Sequence, residues 1–449
     1  MTPLDPTWAE LTPDQRLDSR IATWVEPPGL EFESPEAAAS YKARVTRVKD
    51  ALLLEKAPDR VPVSLTNFGF YPATWAGLTP FDAMTDTPRA AKAWLDFNHE
   101  FQGDAMVGPL FQTIPAKMFE IMDYHLYSWP GHGVPPEASY QYSEDEYMLA
   151  EEYDDLIDDP GDYLWRQWLP RVCGAFEGFG LLSSPVNLVE LPFTFGHMLP
   201  YASPPVQASF DKLTRASQVV GEWAQVVFPV IGQLMASGFP GHWGGSTKAP
   251  YDFIGDTLRG TRAMSLDLFR RPEKVIEACD RLAPLMVKWV TKMVPPASTP
   301  LIFIPLHKGA DGFMSDEQFR TFYWPSFRKV LIGLIEEGFI PSLFAEGGFG
   351  SRLEVIADLP KGRTVWLFDQ TDMARAKEIL GDVACIQGNV PLSLLHAGTP
   401  EQVTAYCRDL IKSAGKGGGF ILDAGAVVDF ARAENVHAMI NAAKEYGVY

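Results

Sequence analysis

Cysteine is scarce in this chain, with four residues in 449: Cys173, Cys279, Cys385 and Cys407. They lie far apart and form no CxxC pair. Secreted disulfide frameworks and zinc knuckles need closely spaced cysteines, so the sequence predicts neither. A reducing, cytoplasmic setting is the expectation that fits this composition.

Positive charge is also in short supply. The chain has 57 acidic against 38 basic residues, which gives a formal net charge of −19, and no local basic patch interrupts the acidic balance. Such a surface repels phosphate backbones and anionic membranes. We therefore expect no nucleic-acid partner and no membrane partner.

Long apolar runs and targeting signals are missing as well. The N-terminal stretch MTPLDPTWAELTPDQ is acidic and Pro-rich, without the basic segment and apolar core of a signal peptide. No uninterrupted run approaches the roughly 20 apolar residues of a membrane span. A soluble protein with a large core is expected, since 46% of the residues are hydrophobic.

The chain does contain short apolar runs that each end in polar residues. Between Leu301 and Asp372, the runs LIFIPLHKGAD, FIPSLFAEGG and TVWLFDQTD alternate with helical patterns, and VACIQGNVP and GGGFILDAGAVV follow. These runs predict strands buried on both faces, as a parallel sheet requires. We expect an α/β fold, a (β/α)8 TIM barrel over residues 57–449 with long inserted loops, preceded over residues 1–56 by an irregular arm and a helix.

Barrel chemistry collects where the strands end, which makes the polar residues there the catalytic candidates. A His or Lys beside a carboxylate in a pocket can act as acid or base, and carboxylates on adjacent strand ends would meet one substrate or one divalent metal. A structural ion pair between Lys308 and Asp311 and ordinary capping by the carboxylates are the alternatives. The candidates are His307, Lys308, Asp311, Glu346 and Asp369, and a metal, if present, would use His307, Glu346 and Asp369.

Two aromatic, Gly- and Pro-broken stretches, 68–80 and 122–142, are the expected loops over the pocket. The first is equally compatible with an aromatic core loop, whereas a structureless loop as long as the second is usually functional. A Gly-rich segment further on lacks GxxxxGK[ST] and precedes acidic residues, which argues against nucleotide binding. The candidate substrate-binding residues are Asn67, Phe70, Tyr71, Trp75, His125, Trp129 and His242.

Six stretches, in order, carry a family resemblance. They are EKAPDRVPVSL, EEYDDLIDDP, APYDFIGDTLRG, DGFMSDEQFRTFYWPSFRKVL, IQGNVPLSLLHAGTPEQV and GGFILDAGAVVDFARAENVHAMINAAKEYG. From about Ala57 onward the chain resembles the uroporphyrinogen decarboxylase superfamily, which also includes corrinoid-linked methyltransferases. The resemblance implies a distorted (β/α)8 barrel with its pocket at the C-terminal face, and a homodimer.

The departures from that family limit what the resemblance implies. Its Arg-rich RQAGR motif, which grips propionates, is replaced by TNFGF at 66–70, and its catalytic Asp falls near 107–111, where no acid stands. Tetrapyrrole decarboxylation is therefore not expected. The thiol-methylating branch holds zinc with a His-x-Cys element and a later Cys, but the matching positions are Phe344, Glu346 and Ala426.

Three hypotheses follow. The leading one is a lyase that removes a one-carbon unit from a small aromatic substrate, as CO2 or formaldehyde, with no cofactor or with a divalent metal such as zinc. His307 or Lys308 would be the acid or base, Asp311 and Glu346 charge partners or base, and Asp369 an orienting group. The rivals are an O-demethylating methyltransferase that uses a corrinoid partner and a metal, and a non-catalytic ligand-binding barrel.

Overall fold

The structure is a computed structural model, and it describes residues 6–184, 190–296 and 298–449. The first five residues of the expected arm lie outside this range. The α-helices are α1 Pro13–Val25, α2 Pro35–Leu53, α3 Tyr71–Trp75, α4 Pro80–Thr85, α5 Thr87–Phe101, α6 Ala116–Met122, α7 Tyr153–Asp158, α8 Pro160–Tyr163, α9 Leu169–Val172, α10 Thr194–Met198, α11 Pro204–Ala236, α12 Pro250–Asp252, α13 Gly260–Arg270, α14 Pro272–Met293, α15 Asp316–Gln318, α16 Trp324–Glu336, α17 Leu353–Ile356, α18 Met373–Leu380, α19 Leu392–Ala397, α20 Pro400–Ala414 and α21 Ala433–Tyr446. The strands are β1 Tyr127–Pro130, β2 Gly133–Val134, β3 Gln141–Tyr142, β4 Gly245–Ser246, β5 Leu301–Leu306, β6 Ile340–Ala345, β7 Val365–Phe368, β8 Cys385–Val390 and β9 Phe420–Ala424.

The central sheet is parallel and runs in the order β4-β5-β6-β7-β8-β9. Two extended segments, 61–65 and 104–107, complete the ring. Val63 bridges Leu422 of β9 in parallel. Asp104 N donates to Val63 O at 2.9 Å, and Met106 N donates to Pro240 O, just ahead of β4, at 2.8 Å. Eight consecutive segments therefore surround one interior, which confirms the predicted (β/α)8 barrel.

Side chains alternate along each strand between the helix layer and the barrel interior. In β5, Ile302, Ile304 and Leu306 pack into the core shared with α14 and α16. Phe303 and Pro305 consequently face the interior, and both are only half-buried. The same parity places His307, just beyond the strand, at the interior mouth.

The base of the barrel is closed by the N-terminal helices. Leu17 and Trp24 of α1 share a buried cluster with α2 and with the first residues of the strands. Trp24 Nε1 donates to Gly241 O at 3.1 Å. The expected irregular arm is wrong at α1, where Thr12 and Gln15 form a capping box ahead of 13 helical residues.

The lid predicted at 122–142 contains a small three-stranded sheet of β1, β2 and β3 rather than a loop without strands. Its end is attached at two points of the mouth. The Ser139 hydroxyl donates to Asp429, in the loop after β9. The Tyr142 hydroxyl donates to the carbonyl of Asp256, in the connection after β4. The lid therefore spans the mouth from one side to the other.

Helix α11 joins the second and third barrel segments and is 33 residues long. It packs against α5 and α6. Among the described residues it has the length and composition of a membrane-crossing helix, with mean hydropathy 1.3 over its most apolar 18 residues. Core helices of soluble proteins meet the same test, so this is weak evidence for a span.

Candidate active site

One register row brings polar side chains from neighbouring strands to the barrel mouth. Leu306, Ala345, Phe368 and Gly388 are successive partners across β5 to β8. The next residue on each strand therefore lies in the following row, and Asn389 of that row is paired with Asp423 on β9. The members of this polar row are His307, Glu346, Asp369, Asn389 and Asp423. The structure brings the three predicted strand ends together in this row.

His307 is held between two carboxylates. Its Nδ1 lies 2.5 Å from Asp256 Oδ2, and its Nε2 lies 3.5 Å from Glu346 Oε1. Burial opposes the charge on the imidazole, but its hydrogen bonds with Asp256 and Glu346 raise the pKa of His307 to about 10. The imidazole is consequently a cation at neutral pH, with a proton on Nε2 facing the mouth.

Asp256 is the group that fixes this charge, and the sequence reading missed it. Burial disfavours its carboxylate, but the hydrogen bond with His307 and the attraction of Lys248 lower the pKa of Asp256 to about 2. Lys248 Nζ lies 2.9 Å from Asp256 Oδ2. Charges thus alternate from Lys248 through Asp256 and His307 to Glu346, which stabilises each ion by its neighbours.

Asp252 positions the backbone that carries His307. Its carboxylate accepts from the backbone N–H groups of His307 at 3.1 Å and Lys308 at 2.9 Å, and from the Tyr323 hydroxyl at 2.7 Å. The side chain is fully buried, and burial together with the charge of Asp256 raises the pKa of Asp252. The signal available in the sequence was the D-x3-D spacing in YDFIGDT, which places both acids on one side of a helical turn.

The predicted pairing of Lys308 with Asp311 is wrong. Lys308 Nζ donates to Thr261 Oγ1 and lies 3.6 Å from Glu144 and 3.6 Å from Asp256. Asp311 instead accepts from Ser351 Oγ at 2.9 Å. It also lies 3.5 Å from the Arg352 guanidinium.

Lys308 extends toward an outer cleft of about 660 Å³ that lies beside the mouth. The acidic stretch 144–146 and residues of α13, including Thr261, line this outer cleft. Lys308 also shares a partner with His307, because its Nζ lies 3.6 Å from Asp256 Oδ1.

Asp369 occupies its predicted place beside Glu346. Its Oδ2 accepts from Gly347 N at 3.1 Å. Burial and the charge of Glu346 raise the pKa of Asp369. Within the ranges described, no three His, Cys, Asp or Glu side chains are arranged to hold a metal ion, so the set of His307, Glu346 and Asp369 does not assemble as ligands. A thiolate zinc site does not fit either, because Phe344 and Ala426 offer no ligand atom at the matching positions.

The candidate aromatic residues of the first loop separate into two groups. Phe70 lies at the mouth, where its ring contacts Tyr140 of the lid at a centroid distance of 5.7 Å. Tyr71 and Trp75 pack on Phe97 of α5, with centroids 5.8 and 6.1 Å apart. Tyr71 and Trp75 therefore belong to an aromatic core loop, which was the alternative to a substrate-binding role.

The remaining candidates are spread over three places. His125 is exposed and lies 3.1 Å from Asp123, and Trp129 stacks on His132 with centroids 4.1 Å apart. Asn67 and His242 are buried, and the Asn67 amide nitrogen and both His242 ring nitrogens lack a hydrogen-bond partner in the described part of the chain. Among the described residues, none of these four side chains forms a hydrogen bond with His307, Asp256 or Glu346.

A tyrosine roof over the polar row was not foreseen. Tyr127 lies with its ring centroid 5.8 Å from that of Tyr140 and 5.2 Å from that of Tyr142. Burial raises the pKa of Tyr127, and Lys248, Asp256 and Glu346 are the charges that act on it. Its hydroxyl therefore belongs to the same electrostatic environment as His307.

The second half of the chain is similar to a known protein family. The sequence model of the family described as uroporphyrinogen decarboxylase (URO-D) matches residues 193–446. The uroporphyrinogen decarboxylase of Cellvibrio japonicus (strain Ueda107) is 27% identical over 199 residues, which cover 43% of this chain and 53% of that protein. That of Psychromonas ingrahamii is 28% identical over 200 residues, covering 43% and 54%. The chain spans about half the length of these curated relatives.

A solved structure supports the fold over nearly the whole chain. A methyltransferase from Methanosarcina mazei superposes with a TM-score of 0.58 at 16% identity, covering 91% of this chain and 98% of that one. At this identity the likeness concerns the fold alone. It extends over the N-terminal half, which the family model does not match.

Proposed function

The chain belongs to the uroporphyrinogen decarboxylase family, and we propose that it is an enzyme that removes a one-carbon unit from a small aromatic substrate by lyase chemistry. The leaving carbon would depart as CO2 or as formaldehyde. A propionate-gripping Arg motif is absent from 66–70, so a tetrapyrrole is not the proposed substrate. Cytoplasmic localisation and a homodimer remain part of this proposal.

The observation that carries the proposal is the position of His307 at the mouth, where Asp256 holds one side of the ring and Glu346 lies at the other. A general acid must carry its proton at the working pH. With a pKa of about 10, His307 does so throughout the neutral range. Asp256 fixes the ring through Nδ1, which leaves the Nε2 proton for a substrate.

His307 and Glu346 together can move the protons of either reaction. In a decarboxylation, the bond between the ring carbon and its carboxylate breaks, CO2 leaves, and the electron pair remains on the carbon, which takes the proton from His307 Nε2. In loss of formaldehyde, Glu346 would first accept the proton of a hydroxymethyl group, and His307 would again protonate the carbon. Solvent returns the proton to His307 after release, since Glu346 is half-exposed beside it.

A product analysis tests this function. The purified chain would be incubated with monocyclic aromatic carboxylates, hydroxymethyl arenes and aryl methyl ethers, with a His307→Gln variant as the control. We expect CO2 or formaldehyde release from the first two classes and none from the control. Equal release by the control would overturn the assignment of His307, and no release from any of these compounds would overturn the lyase.

The second candidate is a corrinoid-dependent O-demethylating methyltransferase, favoured by the likeness to the Methanosarcina mazei methyltransferase along 91% of this chain. It would convert an aryl methyl ether only when a reduced corrinoid is added as acceptor. Appearance of the methyl group on the corrinoid, with no free formaldehyde, would decide for this function. Ligand binding without turnover of any kind would support the non-catalytic barrel.

A further inference from the structure

Below the polar row, the barrel interior changes from charged to aromatic. Phe344 lies on β6, two residues before Glu346. Phe303 lies on the adjacent strand β5 and faces the barrel interior. Their ring centroids are 6.4 Å apart, and Trp243, just before β4, lies 4.5 Å from Phe303. We term Trp243, Phe303 and Phe344 the aromatic floor. Two residues of a strand cover about 6–7 Å, so the floor begins about one ring's width below the polar row.

The interior is open at the level of this floor. Ser246 is the register partner of Phe303, so its side chain faces the interior, yet it is exposed. The next residue, Thr247, faces outward to the helix layer, because its hydroxyl donates to Met286 O on α14. Barrel interiors are ordinarily filled by packed side chains. The exposure of this interior-facing serine on β4, the first strand of the sheet, therefore indicates space beside the floor.

Hydrogen-bond donors without partners accompany the floor. Trp243 Nε1 is buried and has no partner in the residues described, and neither ring nitrogen of the neighbouring His242 has one. A buried polar group without a partner is destabilising, so such groups are usually paired in a working site. Burial also lowers the pKa of His242 to about 4, which keeps the ring neutral. The lower region therefore suits an uncharged acceptor.

We infer that the barrel interior binds a single flat aromatic ring on the aromatic floor, with a neutral oxygen substituent at Trp243 and the reacting group, at the opposite end of the ring, at His307. The assignment of the reacting end rests on the proposed function. The ligand class is a monocyclic aromatic acid that carries a hydroxyl or ether oxygen opposite its carboxylate. Aromatic rings gain stability from stacked or edge contacts beyond that of their buried area, which favours this floor over an aliphatic one.

Calorimetric titration with three probes tests the inference. We expect 4-methoxybenzoate to bind more tightly than benzoate, and benzoate more tightly than cyclohexanecarboxylate. Phe344→Leu and Phe303→Leu should each weaken 4-methoxybenzoate about tenfold, as one ring contact predicts. Phe228→Leu on the exposed face of α11 is the matched control and should bind as the unmodified chain does. Equal weakening by the control, or no binding of any probe, would overturn the inference.

A second measurement does not depend on the folding of the Phe303→Leu and Phe344→Leu variants. Trp243→Phe keeps a ring but removes the indole N–H, so it should abolish the preference for 4-methoxybenzoate over benzoate, whereas Trp289→Phe on α14 should keep it. An unchanged preference in Trp243→Phe would contradict the donor role. Because binding requires no turnover, ring binding without one-carbon release would refute the proposed function alone. One-carbon release with unaltered binding in the floor variants would refute the inference alone.

Discussion

His307 and Lys308 are neighbours in sequence and both approach Asp256, but their remaining contacts lie in different regions of the molecule. His307 faces the mouth and shares its charge with Asp256 and Glu346. Lys308 turns outward, where it contacts Thr261 and Glu144 at the outer cleft. Lys308 begins the turn after β5, so its side chain leaves the mouth in a different direction from that of His307. Position at a strand end is therefore insufficient to assign a catalytic role, because two adjacent residues face different surroundings.

The largest expected effect comes from removing the acid inside the mouth. His307→Gln keeps a hydrogen-bonding side chain but cannot carry the proton, and loss of a general acid typically costs 10²- to 10⁴-fold in rate. We expect a fall in kcat of that size in the one-carbon release assay, with an intact fold by circular dichroism. A loss below about tenfold would show that His307 is structural.

A smaller and pH-dependent effect is expected from Asp256→Asn. Asp256 is the main partner that raises the pKa of His307, so the variant's His307 should lose its proton at lower pH. The activity ratio of variant to unmodified chain should then fall from about one-tenth near pH 6 to about one-hundredth near pH 9, consistent with acid catalysis. A constant ratio across this range would argue that Asp256 only supports the fold.

The same ion pair should make stability depend on pH. The pKa of His307 is raised from 6.5 to about 10, so its contribution is complete below pH 6.5 and is lost as the pH rises toward 10. The pKa of Asp256 is lowered from 3.8 to about 2, so its contribution is complete above pH 3.8 and is lost as the pH falls toward 2. Thermal unfolding of the unmodified chain and His307→Gln should differ most between pH 4 and 6.5. A difference independent of pH from 4 to 10 would contradict this pairing.

The smallest effects are expected outside the mouth. Lys308→Met should reduce kcat by less than about tenfold, because the Lys308 ammonium lies 3.6 Å from Asp256 and supports that carboxylate without carrying the transferred proton. Asp311→Asn, which alters the contacts with Ser351 and Arg352, serves as the matched variant and should behave alike. A hundredfold loss of kcat in Lys308→Met alone would place this lysine in the chemistry and remove the contrast with His307.

Local sequence patterns were sufficient to predict the structure where the strands are regular. The apolar runs ending at His307, Glu346 and Asp369 predicted both the strands and the meeting of these side chains, because parallel neighbours bring their C-terminal ends to one edge. The five-residue polar row depends on the register between neighbouring strands, which cannot be read from the sequence. Asn389 and Asp423 were therefore missed, although they end or nearly end the next two strands.

The partners that set the charge of His307 could not be read from strand ends. Lys248 and Asp256 come from the connection after β4, about 50 residues earlier in the chain, and reach His307 because β4 pairs with β5. Asp256 lies in the π-helical segment Phe253–Leu258, and its spacing from Asp252 did not show that it faces His307. Tyr127 was missed for a related reason, since the short strands of the lid depend on contacts across the mouth.

The closed base of the barrel has a consequence for the order of events during turnover. Helices α1 and α2 cover the end of the interior opposite to the polar row. In the described parts of the chain, substrate and both products would therefore pass the same mouth under the lid, which Ser139 and Tyr142 attach to opposite sides. A small volatile product would escape past the roof first, and the bulkier ring would remain until the lid detaches. Release of the aromatic product, rather than bond cleavage, is then the step expected to limit the steady-state rate.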